Sequence, residues 1–375
     1  MQIVWKAAFF DITGYGSAAR GYALSLDRLG VNIRLIPAGK GSPKKIAPEA
    51  GENVLRLMER PPDPVSETIF VRQSIPNLFE REGFFSIGVT AWETTGIHRL
   101  WRDWCNTMDA VGVPSRMNVW AFARSGVYKP VELLRYGVDD LFISPGEYRD
   151  PLKGLKTPPF RFLSIFEWIH RKGYDVLIRA FLEEFSSDDG VCLVIKTGFD
   201  GSRAFNKKVS GDMRRLNNMY GPRGYSPPVF LLSEEMTPAE MLNLYRSCQC
   251  FVLPSRGEGA GLPFLEAGSL GMPVISTGWG GQTDFLDNNN SFPVEFHLTP
   301  VTAQSHCPYY LPDQKWAEPS VADLKAKMRW VLENYGLALE RGSLLRSLVR
   351  SEYTWEKAAL DVVAALERLT GRIVL

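Results

Sequence analysis

Short apolar runs alternate with amphipathic stretches along almost the whole chain. The first run, residues 3–10, predicts a buried strand. The glycine turn Gly14-Tyr15-Gly16 follows, after which Ser17 can cap a helix running to Leu29, with Gly30 as its stop. Further strands are expected at 31–36, 69–71, 84–89 and 110–113. A helix is expected at 98–108, with Leu100, Trp101, Trp104 and Met108 on its buried side. Residues 137–159 are rich in Gly, Pro and charge and read as a linker. The alternation then restarts. Strands are expected at 160–166, 191–195, 229–232, 250–253 and 273–276. Helices are expected at 174–185, around 207–218, from a Thr237 cap with Pro238 as first residue, and at 263–270.

This β-then-α rhythm in both halves implies an α/β protein with two doubly wound parallel sheets. Such sheets bind ligands at the carboxyl ends of their strands, so two facing sheets make a cleft. The last segment, 355–369, is an amphipathic helix with Ala358, Val362, Ala365 and Leu369 on one stripe; it need not belong to the second sheet.

Composition narrows the classes. A chain of 375 residues suits two domains, and 45% hydrophobic with 23% charged residues is the balance of a globular protein. A net charge of +1 and the lack of a dense basic run argue against nucleic acid as a partner. The five cysteines are odd in number and scattered without a CxxC pair, and the few histidines complete no metal-ligand pattern. The expectation is a reduced, cytoplasmic protein without a metal. The start, MQIVWKAAFFDITGYG, does not read as a signal peptide. No apolar stretch approaches the roughly 20 residues that span a bilayer, which leaves peripheral membrane contact open.

The richest stretch in chemistry is 251–281, FVLPSRGEGAGLPFLEAGSLGMPVISTGWGG. A buried strand ends at Pro254, a loop with Gly257, Gly259 and Gly261 follows, and Pro263 sits where a helix should begin. Glycines let a backbone approach an anion, and a helix start offers it free N–H groups and partial positive charge. Glu258 in the loop and Glu266 one turn into the helix can accept hydrogen bonds from vicinal diols. Together they fit a ligand with phosphate in the middle and hydroxyl-rich sugars at either end. Two solvated glutamates on a plain loop and helix are the bland alternative; strand, glycines, Pro263 and both acids agreeing in one place weigh against it.

That stretch resembles the signature of glycosyltransferase family 4, in which two glutamates are separated by seven residues, as Glu258 and Glu266 are. The resemblance implies the GT-B fold: a Rossmann-like acceptor-side domain (1–154), a Rossmann-like donor domain (155–350) and a final helix (351–375) returning to the first. It implies a retaining, metal-independent transfer of a sugar from a nucleotide sugar, such as a UDP- or GDP-sugar, to a glycan, lipid-linked or small-molecule hydroxyl, with no cofactor. It places Glu258 at the donor sugar and Glu266 on the ribose, with Gly259, Gly261 and Leu262 lining the donor.

The segment FEWIHRKGYDVLIRAF, 166–181, resembles the basic loop of that family. Lys172 takes its lysine position, before Gly173, and so implies a diphosphate contact. Its arginine position is taken by Glu167, which cannot hold a diphosphate. Arg171, beside Lys172, and Lys196, ending the strand VCLVIK, are the substitutes, since a leaving diphosphate without metal needs about two cations.

Gly14, Gly16 and Ala19 also fit the dinucleotide fingerprint GxGxxA. No acid ends the second strand, although Arg34 or Lys40 could take a 2′-phosphate; an NADP-dependent oxidoreductase is therefore the rival enzyme. In family 4 the same loop lies over the donor phosphates or borders the acceptor pocket. The bland alternative is a glycine turn allowing close packing. The motif VTAWETTGIHRLW, 89–101, puts Trp92, Glu93 and Thr94 after a strand and on the cleft. Glu93 is a candidate for the acceptor hydroxyl or for a helix cap. Many members of the family place a His in this wall of the site, and His98 is the only His of the first domain, but it is expected on the following helix, where a structural role is the favoured reading. Trp279 is the one tryptophan suspected of sugar stacking, with packing the alternative. A nucleotide-sugar binding protein that has lost catalysis is the second rival, made plausible by Glu167.

Overall fold

The computed structural model describes residues 1–39, 41–144, 146–198, 202–221, 226–301 and 307–375, so the Lys40 expectation lies outside the described residues. The first layer runs β1 (Gln2–Ala7), α1 (Gly14–Arg28), β2 (Ile33–Pro37), α2 (Pro48–Met58), β3 (Thr68–Gln73), β4 (Phe85–Val89), α3 (Arg99–Cys105), β5 (Ala110–Val113), α4 (Arg116–Arg124), β6 (Val131–Leu133) and α5 (Asp140–Ile143). The second runs β7 (Phe160–Phe166), α6 (Tyr174–Glu184), β8 (Val191–Thr197), α7 (Arg203–Tyr220), β9 (Val229–Leu232), α8 (Pro238–Arg246), β10 (Cys250–Leu253), α9 (Leu262–Ser269), β11 (Val274–Thr277) and β12 (Phe292–Val294). A hairpin, β13 (Phe296–Pro300) and β14 (Lys315–Pro319), precedes α10 (Val321–Glu333), α11 (Tyr335–Glu352) and α12 (Trp355–Thr370).

Each layer holds a six-stranded parallel sheet, ordered β2-β1-β3-β4-β5-β6 and β12-β11-β10-β7-β8-β9. Parallel strands covered on both faces read as apolar runs, which is why Val191–Thr197 and Cys250–Leu253 are buried at every position. The strand order reverses at β1 in one sheet and between β7 and β10 in the other, and crevices open at the carboxyl ends of such strands. The loops that leave β1, β7 and β10 carry the sequence motifs.

The last helix leaves the second layer. Trp355, at the start of α12, packs its ring 5.2 Å from Tyr22 of α1 and 6.0 Å from Tyr136. Arg135 pairs with Asp361 of the same helix at 2.9 Å.

Several elements differ locally from the sequence pattern. The first strand stops at Ala7, and α1 begins at Gly14 with Thr13 at the cap position, so Ser17 lies inside the helix and caps nothing. Gly30 does stop the helix, in the left-handed region at φ +86°. His98 is not on α3 but caps it, its Nδ1 accepting from the Leu100 amide at 3.1 Å. Leu100 is exposed, because α3 turns only Trp101 and Cys105 fully inward. The linker contains α5, whose Phe142 is buried against Tyr245 of α8. Pro263 is the second residue of α9, after Leu262. Among the described residues no helix is long and apolar enough to cross a membrane.

Candidate active site

Two loops of the second sheet are strapped together. After β7 the chain turns through His170–Lys172 and enters α6 at Gly173, which adopts φ +68°. The carbonyl of Arg171 accepts from the Arg256 amide at 2.7 Å and from Ser255 Oγ at 3.2 Å, both in the loop after β10. The Arg256 guanidinium is almost fully buried. It grips Asp175 at 2.8 and 2.9 Å, Glu318 at 2.7 and 2.8 Å, and the His170 carbonyl at 2.7 Å. Those bonds hold Asp175 below the usual carboxylate range against the upward push of burial. Arg256→Met removes one member of this network and should lower stability by about 3 kcal/mol, with both acids left partly solvated. A shifted midpoint in urea with unchanged slope is the expected observation.

The strap fixes the neighbouring cations. Lys172 Nζ donates to both oxygens of Glu258, at 2.7 and 2.9 Å. Arg171 Nη1 donates to the Gly257 carbonyl at 2.5 Å and lies 3.7 Å from Glu258. Its Nη2 stands 3.4 Å from Oε1 of Glu93, across the cleft in the first layer. The other oxygen of Glu93 accepts from Tyr310 Oη at 3.1 Å. Burial would raise the Glu258 carboxyl, but Lys172 and Arg171 hold it below the usual range. Burial likewise disfavours the Arg171 charge, and Glu93 and Glu258 more than offset it.

The layers meet through glycines. A Cβ on Gly257 would lie 2.2 Å from the Glu93 carbonyl, and one on Gly259 2.9 Å from the Ala91 Cβ, so neither loop position admits a side chain without a shift. Gly14 faces Leu262, where an added Cβ would find Cδ1 at 3.8 Å. The starts of α1 and α9 therefore face each other, and neither helix has a side-chain cap. Gly261 opens α9 at φ +92°. Gly16 sits tightly on the turn after β1, 2.1 Å from the Asp11 carbonyl to an added Cβ, which gives it a packing duty.

Glu266 points from α9 to Tyr245, whose hydroxyl donates to Oε2 at 2.6 Å. Burial, with Asp139 adding to it, outweighs that bond and pushes the carboxyl up to about 7. Lys196 keeps different company: its buried Nζ donates to the adjacent Thr197 carbonyl at 2.9 Å, and its charge is disfavoured by burial. Glu167 is exposed, and Trp279 is half-buried with its carbonyl bound by Gln282 Nε2 at 2.9 Å. Arg34 Nε is occupied by the Arg60 carbonyl at 2.9 Å.

Four participants have no obvious mark in the sequence. Tyr15, between the two glycines, bonds Thr90 Oγ1 at 3.2 Å, and burial pushes its hydroxyl up to about 12. Tyr245 and Arg256 act through partners distant in sequence. Tyr310 comes from the β13–β14 excursion, which clasps the first layer. The Thr95 amide donates to the Lys315 carbonyl at 2.9 Å, the Lys315 amide to Thr95 Oγ1 at 2.9 Å, and the Trp92 and Tyr310 rings lie 4.9 Å apart.

Residues 150–304 match the family described as Glycosyl transferases group 1. A D-inositol 3-phosphate glycosyltransferase from Acidothermus cellulolyticus is 27% identical over 197 residues, covering 49% of this chain and 42% of that protein. The chain thus spans less than half the length of that curated relative. Among solved structures, a sucrose-phosphate synthase from Thermosynechococcus elongatus superposes with a TM-score of 0.67 at 16% identity, covering 99% of each chain. HepE from Anabaena, in complex with UDP-glucose, gives 0.67 at 14% identity over 98% of this chain and 100% of its own. Trehalose-6-phosphate synthase OtsA gives 0.67 at 10% identity and full coverage of both chains, 100%. At these identities the superpositions show the fold, which is GT-B. The match to the group 1 glycosyl transferases thus falls on residues 150–304, within a chain whose fold is GT-B.

Proposed function

We propose that this chain is a retaining glycosyltransferase that uses a nucleotide sugar bound in the cleft between its two sheets. The observation that carries the reading is the meeting of two uncapped helix starts with Lys172, Arg171 and Glu258 at the junction of the sheets, with Glu266 one turn into the second of those helices. Helix starts and cations suit a diphosphate, and carboxylates suit hydroxyls. Glu266 takes the ribose, Lys172 and Arg171 the diphosphate, Glu258 the donor sugar, and Glu93 the acceptor hydroxyl. Arg171 rather than Lys196 supplies the cation that Glu167 lacks, because Arg171 lies on the Glu258 cluster while Lys196 is turned onto its own backbone.

The chemistry follows from these places. The acceptor oxygen forms a bond to the anomeric carbon on the face from which the phosphate oxygen departs. The cations stabilise the departing charge, and a phosphate oxygen accepts the acceptor's proton. The UDP-glucose held by HepE makes UDP-sugars the first donors to try. Glycan, lipid-linked and small-molecule hydroxyls are the acceptor classes, and a lipid-linked one would bring the protein to a membrane surface from the cytoplasm.

A thermal-shift panel of nucleotides and nucleotide sugars tests the reading; stabilisation by a nucleoside diphosphate is expected, and stabilisation by NADP alone would overturn it. Transfer should also survive a chelator, since side-chain cations face the diphosphate position. Abolition by chelator with rescue by magnesium or manganese would contradict that assignment.

A further inference from the structure

Four charged groups meet at the domain junction, and their contacts are unequal. Lys172 and Glu258 pair closely, at 2.7 and 2.9 Å. Arg171 and Glu93 stand 3.4 Å apart, beyond the 2.7–2.9 Å typical of a charge-assisted hydrogen bond. The pair is also the one that crosses between the layers: Arg171 leaves the loop after β7, and Glu93 follows β4. It keeps some solvent, with side chains 13% and 21% exposed. Of these two pairs it is therefore the one that yields first to a stronger anion.

We infer that Glu93 competes with the donor diphosphate for Arg171, so that donor binding releases Oε1 of Glu93 for the acceptor. The inference rests on the donor placement proposed above. A nucleoside diphosphate offers more negative charge than one carboxylate, and it leaves the Arg171 Nη1 bond to Gly257 undisturbed. Glu93 does not swing free when Arg171 turns away, because Tyr310 still holds Oε2 at 3.1 Å. The Gly257–Glu93 backbone contact keeps the carboxylate at the same place on the cleft wall. An acceptor hydroxyl can then donate to Oε1. Glu93 acts here as a positioning residue whose availability depends on the donor, which makes donor-first binding the productive order.

Removing this negative charge from the site should therefore improve affinity for the diphosphate. With Glu93→Gln, calorimetry should show UDP, or the nucleoside diphosphate that the panel selects, binding about fivefold tighter. The corresponding nucleoside should be unchanged. Arg171→Gln should weaken the diphosphate alone, and Glu93→Gln should have no further effect in that background. Acceptor KM should rise in Glu93→Gln. Should that variant fold poorly, Glu93→Asp withdraws the carboxylate by one methylene and should give part of the same gain. Unchanged or weaker diphosphate binding in folded Glu93 variants overturns the inference, as does a gain that persists without Arg171. Wild-type protein that binds diphosphate no better than nucleoside would instead overturn the donor placement itself.

Discussion

Lys172→Ala should lower kcat/KM by about 10²–10³, the scale of losing one preorganised partner of a developing charge. The ammonium is fixed by its two short bonds to Glu258 and by the strap that anchors the loop through Arg256. Its removal should weaken UDP by about ten- to a hundredfold, the value of a charged hydrogen bond, and leave uridine nearly unchanged. Stability should fall as well, because Glu258 is buried and among the described residues keeps only Arg171, at 3.7 Å, as a cation. Binding titrations with both ligands on the folded variant separate the two effects. Equal loss for UDP and uridine would make Lys172 a structural partner of Glu258 and nothing more.

Glu266→Ala should cost about ten- to a hundredfold in nucleotide affinity, since a carboxylate accepting from both ribose hydroxyls contributes roughly 1.5–3 kcal/mol. The residue lies one turn from the helix start, and the helix rises about 1.5 Å per residue, so with the diphosphate at that helix start, as proposed above, a ribose joined to it would extend to Glu266. Glu266→Gln keeps one acceptor and should lose less. Wild-type protein should prefer the ribose nucleotide over its 2′,3′-dideoxy analogue, and Glu266→Ala should barely distinguish them. The carboxyl is pushed up to about 7, which gives the preference a pH dependence. An acid whose folded pKa is raised favours its protonated form, so its contribution to stability is fully present below its unfolded pKa and is lost as pH rises through about 7. Ribose discrimination, which uses the ionised form, should run the other way, growing between pH 6 and 8 in wild type and staying flat in Glu266→Gln. Unchanged discrimination in folded Glu266→Ala would remove the ribose from this position.

Much of the fold is legible in the sequence because it is local. Strands such as Ala110–Val113, Phe160–Phe166, Val229–Leu232 and Cys250–Leu253 announce themselves as apolar runs between turn residues. The Thr237 capping box, with Glu240 as its reciprocal partner, is written in four consecutive residues. The resemblance carried Glu258, Glu266 and Lys172, and the structure brings Lys172 and Glu258 together. What escapes is the part assembled by tertiary structure. An arginine after a strand gives no sign that Arg256 is buried between Asp175 and Glu318. Strand β13 turns Phe296 and Leu298 toward solvent, so its pattern hides the excursion that delivers Tyr310 to Glu93. Cap positions also fail by a few residues: Ser17 is a better capping side chain than Thr13, but the helix starts earlier, at Gly14, with Thr13 at the cap position and no side-chain cap.

Retention at the anomeric carbon is read from the proton NMR spectrum of sugar freshly released or transferred from an α-linked nucleotide sugar, recorded before mutarotation. The α-anomer should appear in a nucleotide-dependent way, at a rate reduced at least a hundredfold by Lys172→Ala. A β-anomeric product, or no turnover with any UDP- or GDP-sugar that stabilises the protein, would contradict it.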